Sequence, residues 1–142
     1  MTGTRLLPVL AVLAAGLAAP ALPARADMMS ACAAEVQRFC SDVSRGRGRV
    51  SACLASEMAR LSGSCRAEVQ SVMASPLTPG YVRRALQPGF SAPLPAVCAT
   101  PARTLCPNIP ATDARVFACL YARSDRAGRD CNNAATATLK GR

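Results

Sequence analysis

The sequence has no histidine and no tryptophan, and only three phenylalanines and two tyrosines among its 142 residues. Without histidine, the chain lacks the usual general base near neutral pH and the commonest metal ligand. That excludes Ser-His-Asp and Cys-His hydrolases, histidine-ligated zinc or copper, and haem held by histidine. Lysine is almost absent as well, with Lys140 standing against sixteen arginines. Glu35, Asp42, Glu57, Glu68, Asp113, Asp125 and Asp130 are scattered and form no recognisable catalytic pair. An enzyme is therefore not expected, no cofactor is implied, and no residue is assigned a catalytic role.

The first 26 residues read as a secretory signal. Arg5 supplies the positive start, residues 6–19 are uncharged and rich in Leu, Ala and Val, and Ala24-Arg25-Ala26 gives a small-x-small cleavage pattern. An uncleaved anchor is disfavoured, because the apolar run is interrupted by Pro8 and falls short of the ~20 residues that span a bilayer. A lipoprotein reading of Met29-Ser30-Ala31-Cys32 is disfavoured by Arg25 and Asp27, which separate the apolar run from that cysteine. Cleavage near Ala26 would leave 116 residues and lower the formal charge from +9 to +7. A periplasmic or secreted product is expected, with no transmembrane segment in the mature chain.

What the chain has in abundance is cysteine, eight in all. They fall at 32, 40, 53 and 65, then at 98, 106, 119 and 131, so each quartet reads C-x7-C-x12-C-x11-C and the second is the first displaced by 66 residues. Arg49-Val50-x-Ala52-Cys53-Leu54 returns as Arg115-Val116-x-Ala118-Cys119-Leu120, Ala33 as Ala99, and Arg60 as Arg126. This is an internal duplication.

Helical signals run through both copies. The segment from Met29 to Cys40 contains good helix formers and no Pro or Gly, with Ser30 or Asp27 available as N-cap. Residues 44–48 break the pattern, a second helix is expected from about Val50 to Leu61, and a third from Cys65 to Met73. In the second copy, Pro101 fits only a first turn, with Thr100 as cap, and Pro107 and Pro110 crowd the hairpin loop. The expected fold class is all-α: two disulfide-stapled helical-hairpin repeats joined by a Pro-rich linker.

These helices constrain the bridges. Two cysteines eight residues apart on one helix stand ~12 Å apart, beyond the ~7 Å Cα limit of a disulfide. Bridges must join helix to helix, and an antiparallel hairpin favours the nested arrangement: Cys40 with Cys53 and Cys32 with Cys65, then Cys106 with Cys119 and Cys98 with Cys131. Closing a loop of ~13 residues stabilises by ~3 kcal/mol in the chain-entropy model. Units of ~40 residues with so few aromatics need such staples. An oxidising compartment is the natural setting.

The run Cys32…Phe39-Cys40…Gly48-Arg49-Val50…Cys53-Leu54…Leu61-Ser62…Cys65 resembles the cysteine-rich repeat of the Golgi sialoglycoprotein family. The second copy keeps the four cysteines, Arg115-Val116 and Cys119-Leu120, but has Leu105 for the aromatic, Ala114 for the glycine and Ala127-Gly128 for Leu-Ser. The resemblance implies a binding or scaffolding module of the extracellular space, as in small exported bacterial proteins with a few copies. It brings no catalytic residues.

The expected layout is a signal peptide over 1–26, repeat 1 over 27–74, a linker over 75–97, repeat 2 over 98–135 and a flexible tail over 136–142. The linker holds Pro76, Pro79, Pro88, Pro93 and Pro95, and reads as an extended connector with one short helix near residues 81–86. Arg45, Arg47 and Arg49 cluster in the first hairpin loop, Arg83 and Arg84 stand in the linker, and Arg123, Arg126 and Arg129 recur every third residue.

The bland interpretation of these arginines is a solvated surface. The sharper one is a site for anions, with Arg45, Arg47, Arg49, Arg123, Arg126 and Arg129 meeting an anionic envelope polysaccharide or an acidic protein. Nucleic acid is disfavoured by export and by the lack of aromatics for base stacking. The alternative function is thiol-based metal binding or redox work, but no C-x-x-C is present to suggest zinc. Copper(I) could recruit Met28, Met29, Met58 and Met73, whose simpler role is packing.

Overall fold

Asp27 starts the described chain as an N-cap: its carboxylate accepts a hydrogen bond from the Ser30 backbone N–H at 3.0 Å and opens α1 (Met28–Ala31). These coordinates are a computed structural model that describes residues 27–76 and 78–141, so the expected signal peptide lies outside the described residues. After α1 come α2 (Ala33–Phe39), α3 (Arg49–Ser56), a 3₁₀ turn (Met58–Arg60) and α4 (Gly63–Ala74). Next come α5 (Gly80–Ala85), a 3₁₀ turn (Ala96–Cys98), α6 (Ala99–Leu105), α7 (Arg115–Ala122) and α8 (Arg129–Lys140). Among the described residues every regular element is helical and none is a strand, and four disulfides join the helices.

The displacement of 66 residues that relates the cysteines also carries α2 onto α6, α3 onto α7 and α4 onto α8, end for end. Burial follows it. Cys65, Val69 and Met73 are the buried residues of α4, and Cys131, Ala135 and Leu139 are those of α8. Each set is spaced by four, which places it on one helical face. Val43 and Ile109, in the two hairpin loops, are likewise both buried.

Three local expectations are corrected. The segment from Met29 to Cys40 is two helices, because Cys32 leaves helical geometry (φ −112°, ψ 14°) where it bonds Cys65, their Cα atoms 4.7 Å apart. Gly63 and Ser64 belong to α4, with the Ser62 hydroxyl capping it by accepting from the Cys65 N–H. Thr100 caps nothing, since α6 begins before it and Pro101 is its third residue, inside the first turn where a missing N–H is tolerated.

Within the region expected as a flexible tail over 136–142, residues 136–140 are instead the second half of α8, with Leu139 only 3% exposed and Gly141 ending the helix at φ 72°. Small residues made it look uncommitted. The spacing Cys131, Ala135, Leu139 is what continues the helix.

The linker also differs from an extended connector. Val82 and Ala85 of α5 are buried, and Tyr81 packs against the apolar clusters of both halves. Its two adjacent arginines divide between the equivalent helices: Arg83 donates to the Ala74 carbonyl at the end of α4 (3.2 Å), and Arg84 to the Leu139 carbonyl near the end of α8 (3.3 Å). Cations there satisfy orphan carbonyls and oppose the helix dipole.

At the centre α3 packs against α7. Every residue of α3 from Val50 to Ser56 is buried, as are Val116 to Leu120 and Ala122 of α7. Ala52, Ala55, Ala118 and Ala122 keep the contact shallow, and Ala118 and Ala122 join the cluster formed by the first half. The buried serines are satisfied locally, Ser51 donating to the Gly48 carbonyl (2.9 Å) and Ser56 to the Cys53 carbonyl (2.6 Å).

An alanine with no exposed surface at a helix crossing leaves no room for a larger side chain. Ala118→Leu is expected to lower unfolding free energy by about 1–3 kcal/mol, whereas the exposed control Ala34→Leu should stay within about 0.5 kcal/mol. Urea denaturation checks both, and equal effects would contradict the close α3–α7 contact.

Candidate functional site

The four bridges form two nested pairs. Cys32–Cys65 and Cys98–Cys131 span 33 residues with Cα separations of 4.7 and 4.8 Å. Cys40–Cys53 and Cys106–Cys119 span 13 residues with Cα separations of 6.1 and 6.2 Å. The outer bridge of each half joins its start to α4 or α8, and the inner one joins the end of α2 or α6 to the middle of α3 or α7. All eight cysteines are engaged.

The structure divides the six arginines expected to bind anions. Arg123 is an interior residue, 8% exposed. Its Nε and Nη2 donate to the two carboxylate oxygens of Asp42 (3.0 and 3.1 Å), and Nη2 also donates to the Phe39 carbonyl at 3.0 Å. Its Nη1 points at two bridge sulfurs, Cys119 Sγ at 3.3 Å and Cys53 Sγ at 3.8 Å. Arg123 is thus a clamp between halves rather than a surface contact. Arg126 also bonds Asp42. Arg123, Arg126 and Arg129 do not share a helical face, because α7 ends at Ala122 and α8 begins at Arg129. Arg129 is exposed in a separate shallow depression beside Val97.

The first-hairpin loop is drawn to this clamp. Ser44 donates to Asp125 (2.6 Å), and the Tyr121 hydroxyl donates to the Arg47 carbonyl (2.6 Å). Arg49 turns back, its Nη2 donating to the Arg45 carbonyl at 3.1 Å. Gly46, Arg47 and Gly48 all have positive φ (97°, 52° and 70°), a run that two glycines make accessible. The result places exposed Arg45 and Arg47 beside the 123–126 turn, and among the described residues neither has a carboxylate within ion-pair distance.

A second arginine pair was not marked out by spacing. Arg38 and Arg60 lie over the Phe39 ring, their guanidinium carbons 5.1 and 4.3 Å from its centroid. Arg60 also pairs with Glu57 at 3.0 Å. The three residues border a groove of about 370 Å³ between the halves, whose far wall is residues 104–108 and whose floor includes Cys119 and Arg123. The clue in the sequence was an aromatic directly before Cys40. Its partner Arg60 is twenty-one positions away and approaches only once the inner bridge has folded the hairpin.

Carboxylates respond to these cations. Partial burial pushes the Asp42 carboxyl up, but hydrogen bonds and charge from Arg123 and Arg126 together outweigh it and hold it below the ordinary range. Asp113 is lowered by the Arg115 guanidinium, which also donates to the Ser56 carbonyl across the halves at 3.4 Å. Burial raises both Tyr81 and Tyr121, whose rings meet edge to face at 6.1 Å.

Fold and bridges together define a small all-helical protein stapled by disulfides. Residues 25–62 match a family model described as a cysteine rich repeat. That match takes in Cys32, Cys40, Cys53 and the Gly48-Arg49-Val50 entry to α3. No curated protein and no solved structure matches the chain.

Two outcomes are expected. Asp42 titrates lower in the folded than in the unfolded chain, so its contribution is complete above about pH 4 and is lost as pH falls towards its folded value. Asp42→Asn should therefore lose about 1–2 kcal/mol at pH 7, discounted for its exposure, and the gap to wild type should close in acid. Urea midpoints at pH 7 and 3 check this, and a gap independent of pH would contradict the clamp. Gly46→Ala, with φ 97° and open space around the new methyl, should cost about 1–2 kcal/mol from backbone strain alone, measured by thermal melting.

Proposed function

We propose that the protein is an exported binding module whose disulfide-stapled repeats present arginines to an anionic ligand, an envelope polysaccharide or an acidic protein. The observation that carries this reading is the loop of Arg45 and Arg47. Three successive positive-φ residues, Tyr121 and the Ser44–Asp125 contact hold its backbone against the second half, while both side chains stay exposed without a carboxylate partner among the described residues. Holding a loop in costly geometry beside unneutralised cations is preorganisation, which lowers the ordering cost of binding. The leader over residues 1–26, the bridges and the resemblance of the first repeat to the Golgi sialoglycoprotein type support the exported setting.

The test is chromatography of the oxidised protein on immobilised heparin. Wild type should be retained and elute with rising salt, since exposed charge pairs are screened. Arg45→Gln/Arg47→Gln should elute clearly earlier than Arg103→Gln/Arg129→Gln, which removes the same charge elsewhere. Equal shifts would mean that net charge alone is being read and would overturn the site.

A further inference from the structure

We propose that the Cys106–Cys119 bridge is a thiol-exchange site, opened by a small anionic thiol entering the groove beside Phe39. Two features mark this bridge: no cysteine of the other three lines that groove, and the Arg123 cation, which also reaches Cys53 Sγ at 3.8 Å, stands closer to Cys119 Sγ at 3.3 Å. First, both of its cysteines, themselves buried at 3% and 2% exposure, line that groove, which is therefore the side from which an incoming thiol approaches the bridge. Cys53, in the other inner bridge, is fully buried and does not line it, and the groove lining includes neither outer bridge.

The second feature is electrostatic. Arg123 Nη1 stands 3.3 Å from Cys119 Sγ, and the guanidinium is locked in place by Asp42 and the Phe39 carbonyl. Guanidinium stays charged at any relevant pH, so a thiolate formed on Cys119 has a fixed cation beside it. Exchange is faster when the departing sulfur is the better-stabilised thiolate. Among the described residues no cation lies within hydrogen-bonding distance of Cys106 Sγ. The polarity of the bond is thereby set: Cys106 is attacked and Cys119 leaves.

The step balances without further groups. The incoming thiolate donates its electron pair to Cys106 Sγ and forms a new sulfur–sulfur bond. The Cys106–Cys119 bond breaks, and its pair departs on Cys119 Sγ as thiolate beside Arg123. A second thiolate of the same class then attacks the mixed disulfide, releasing the oxidised thiol dimer and a reduced Cys106. Substrate charge follows from the rim. Glu57 lines the same groove and neutralises Arg60, but Arg38 is exposed without a carboxylate partner among the described residues, so the rim carries a net positive charge and a thiol carrying carboxylates is favoured over a neutral one.

The experiment uses the folded, fully oxidised chain. It is incubated with glutathione at neutral pH, quenched with iodoacetamide and mapped by peptide mass. A glutathione adduct on Cys106 with alkylated Cys119 should appear first, about tenfold faster than label at any other cysteine, the effect of roughly 1.4 kcal/mol in the barrier. First labelling at Cys40–Cys53 or at an outer bridge, or equal labelling of all four, would overturn the proposal. The rim is tested by Arg38→Gln/Arg60→Gln. The ratio of rates with glutathione and with uncharged 2-mercaptoethanol should fall about two- to fivefold at low salt, the scale of losing screened surface charges, with unchanged circular dichroism. An unchanged ratio would overturn the groove as the entry route.

Discussion

The guanidinium of Arg123 is the buried charge on which the assembly of the two halves turns. A cation taken out of water is tolerated only when its donors are met, and here each nitrogen has a partner: Asp42 and the Phe39 carbonyl from the first half, and bridge sulfurs from both. The first-half partners, Phe39 and Asp42, flank Cys40, which the inner bridge ties to Cys53 of α3. The clamp therefore couples three things that could have been independent: the inner bridge of each half and the α3–α7 crossing. Removing Asp42 leaves a buried cation under-satisfied, which is costlier than never having placed one there.

Duplication explains why the halves meet as they do, and divergence explains why they stay distinct. Equivalent helices α3 and α7 pack on each other, an arrangement that a self-complementary surface produces when it is copied. An exact copy would carry the same residue at each pair of equivalent positions, and so the same clamp twice or not at all. Instead the position equivalent to Arg123 is Glu57, and the position equivalent to Asp42 is Asn108. One side of the crossing thus became a closed ion pair. The other, where Glu57 turns to Arg60 and Asn108 borders open space, became the groove beside Phe39. The asymmetry of the molecule's surface is the trace of these substitutions.

Much of the fold was legible because cysteine spacing and helical periodicity report the same thing. Bridged cysteines are buried, buried residues on short helices recur every three or four positions, and so α2 and α4 could be placed within a few residues, while the helix expected over Val50 to Leu61 ends at Ser56 and gives way to a 3₁₀ turn at Met58–Arg60. The break at Cys32 was not legible, since good helix formers flank it and only the partner at Cys65 forces the turn. The second half of α8 was hidden for the opposite reason: Thr136 and Thr138 are poor helix formers, and packing against α5 decides. The binding arginines were the least legible. Their spacing suggested a helical face, while their actual roles depend on what sits across an interface some eighty residues away in sequence.

That difference also separates the arginines that hold the fold together from those that face solvent. Arg83 and Arg84 close the ends of α4 and α8, Arg115 spans from Asp113 to Ser56 across the halves, and Arg123 and Arg126 hold Asp42. Lysine could not make the two-pronged contacts of Arg115 and Arg123, which use the planar fork of the guanidinium. In a chain whose aromatics are too few to build a large core, arginine takes over part of the packing through its long stem and its several donors. A surplus that composition presents as surface charge is therefore partly interior scaffold. The cations left over at Arg38, Arg45 and Arg47 stand out against it, since they sit on rigid, well-supported backbone yet have no carboxylate of their own to meet among the described residues.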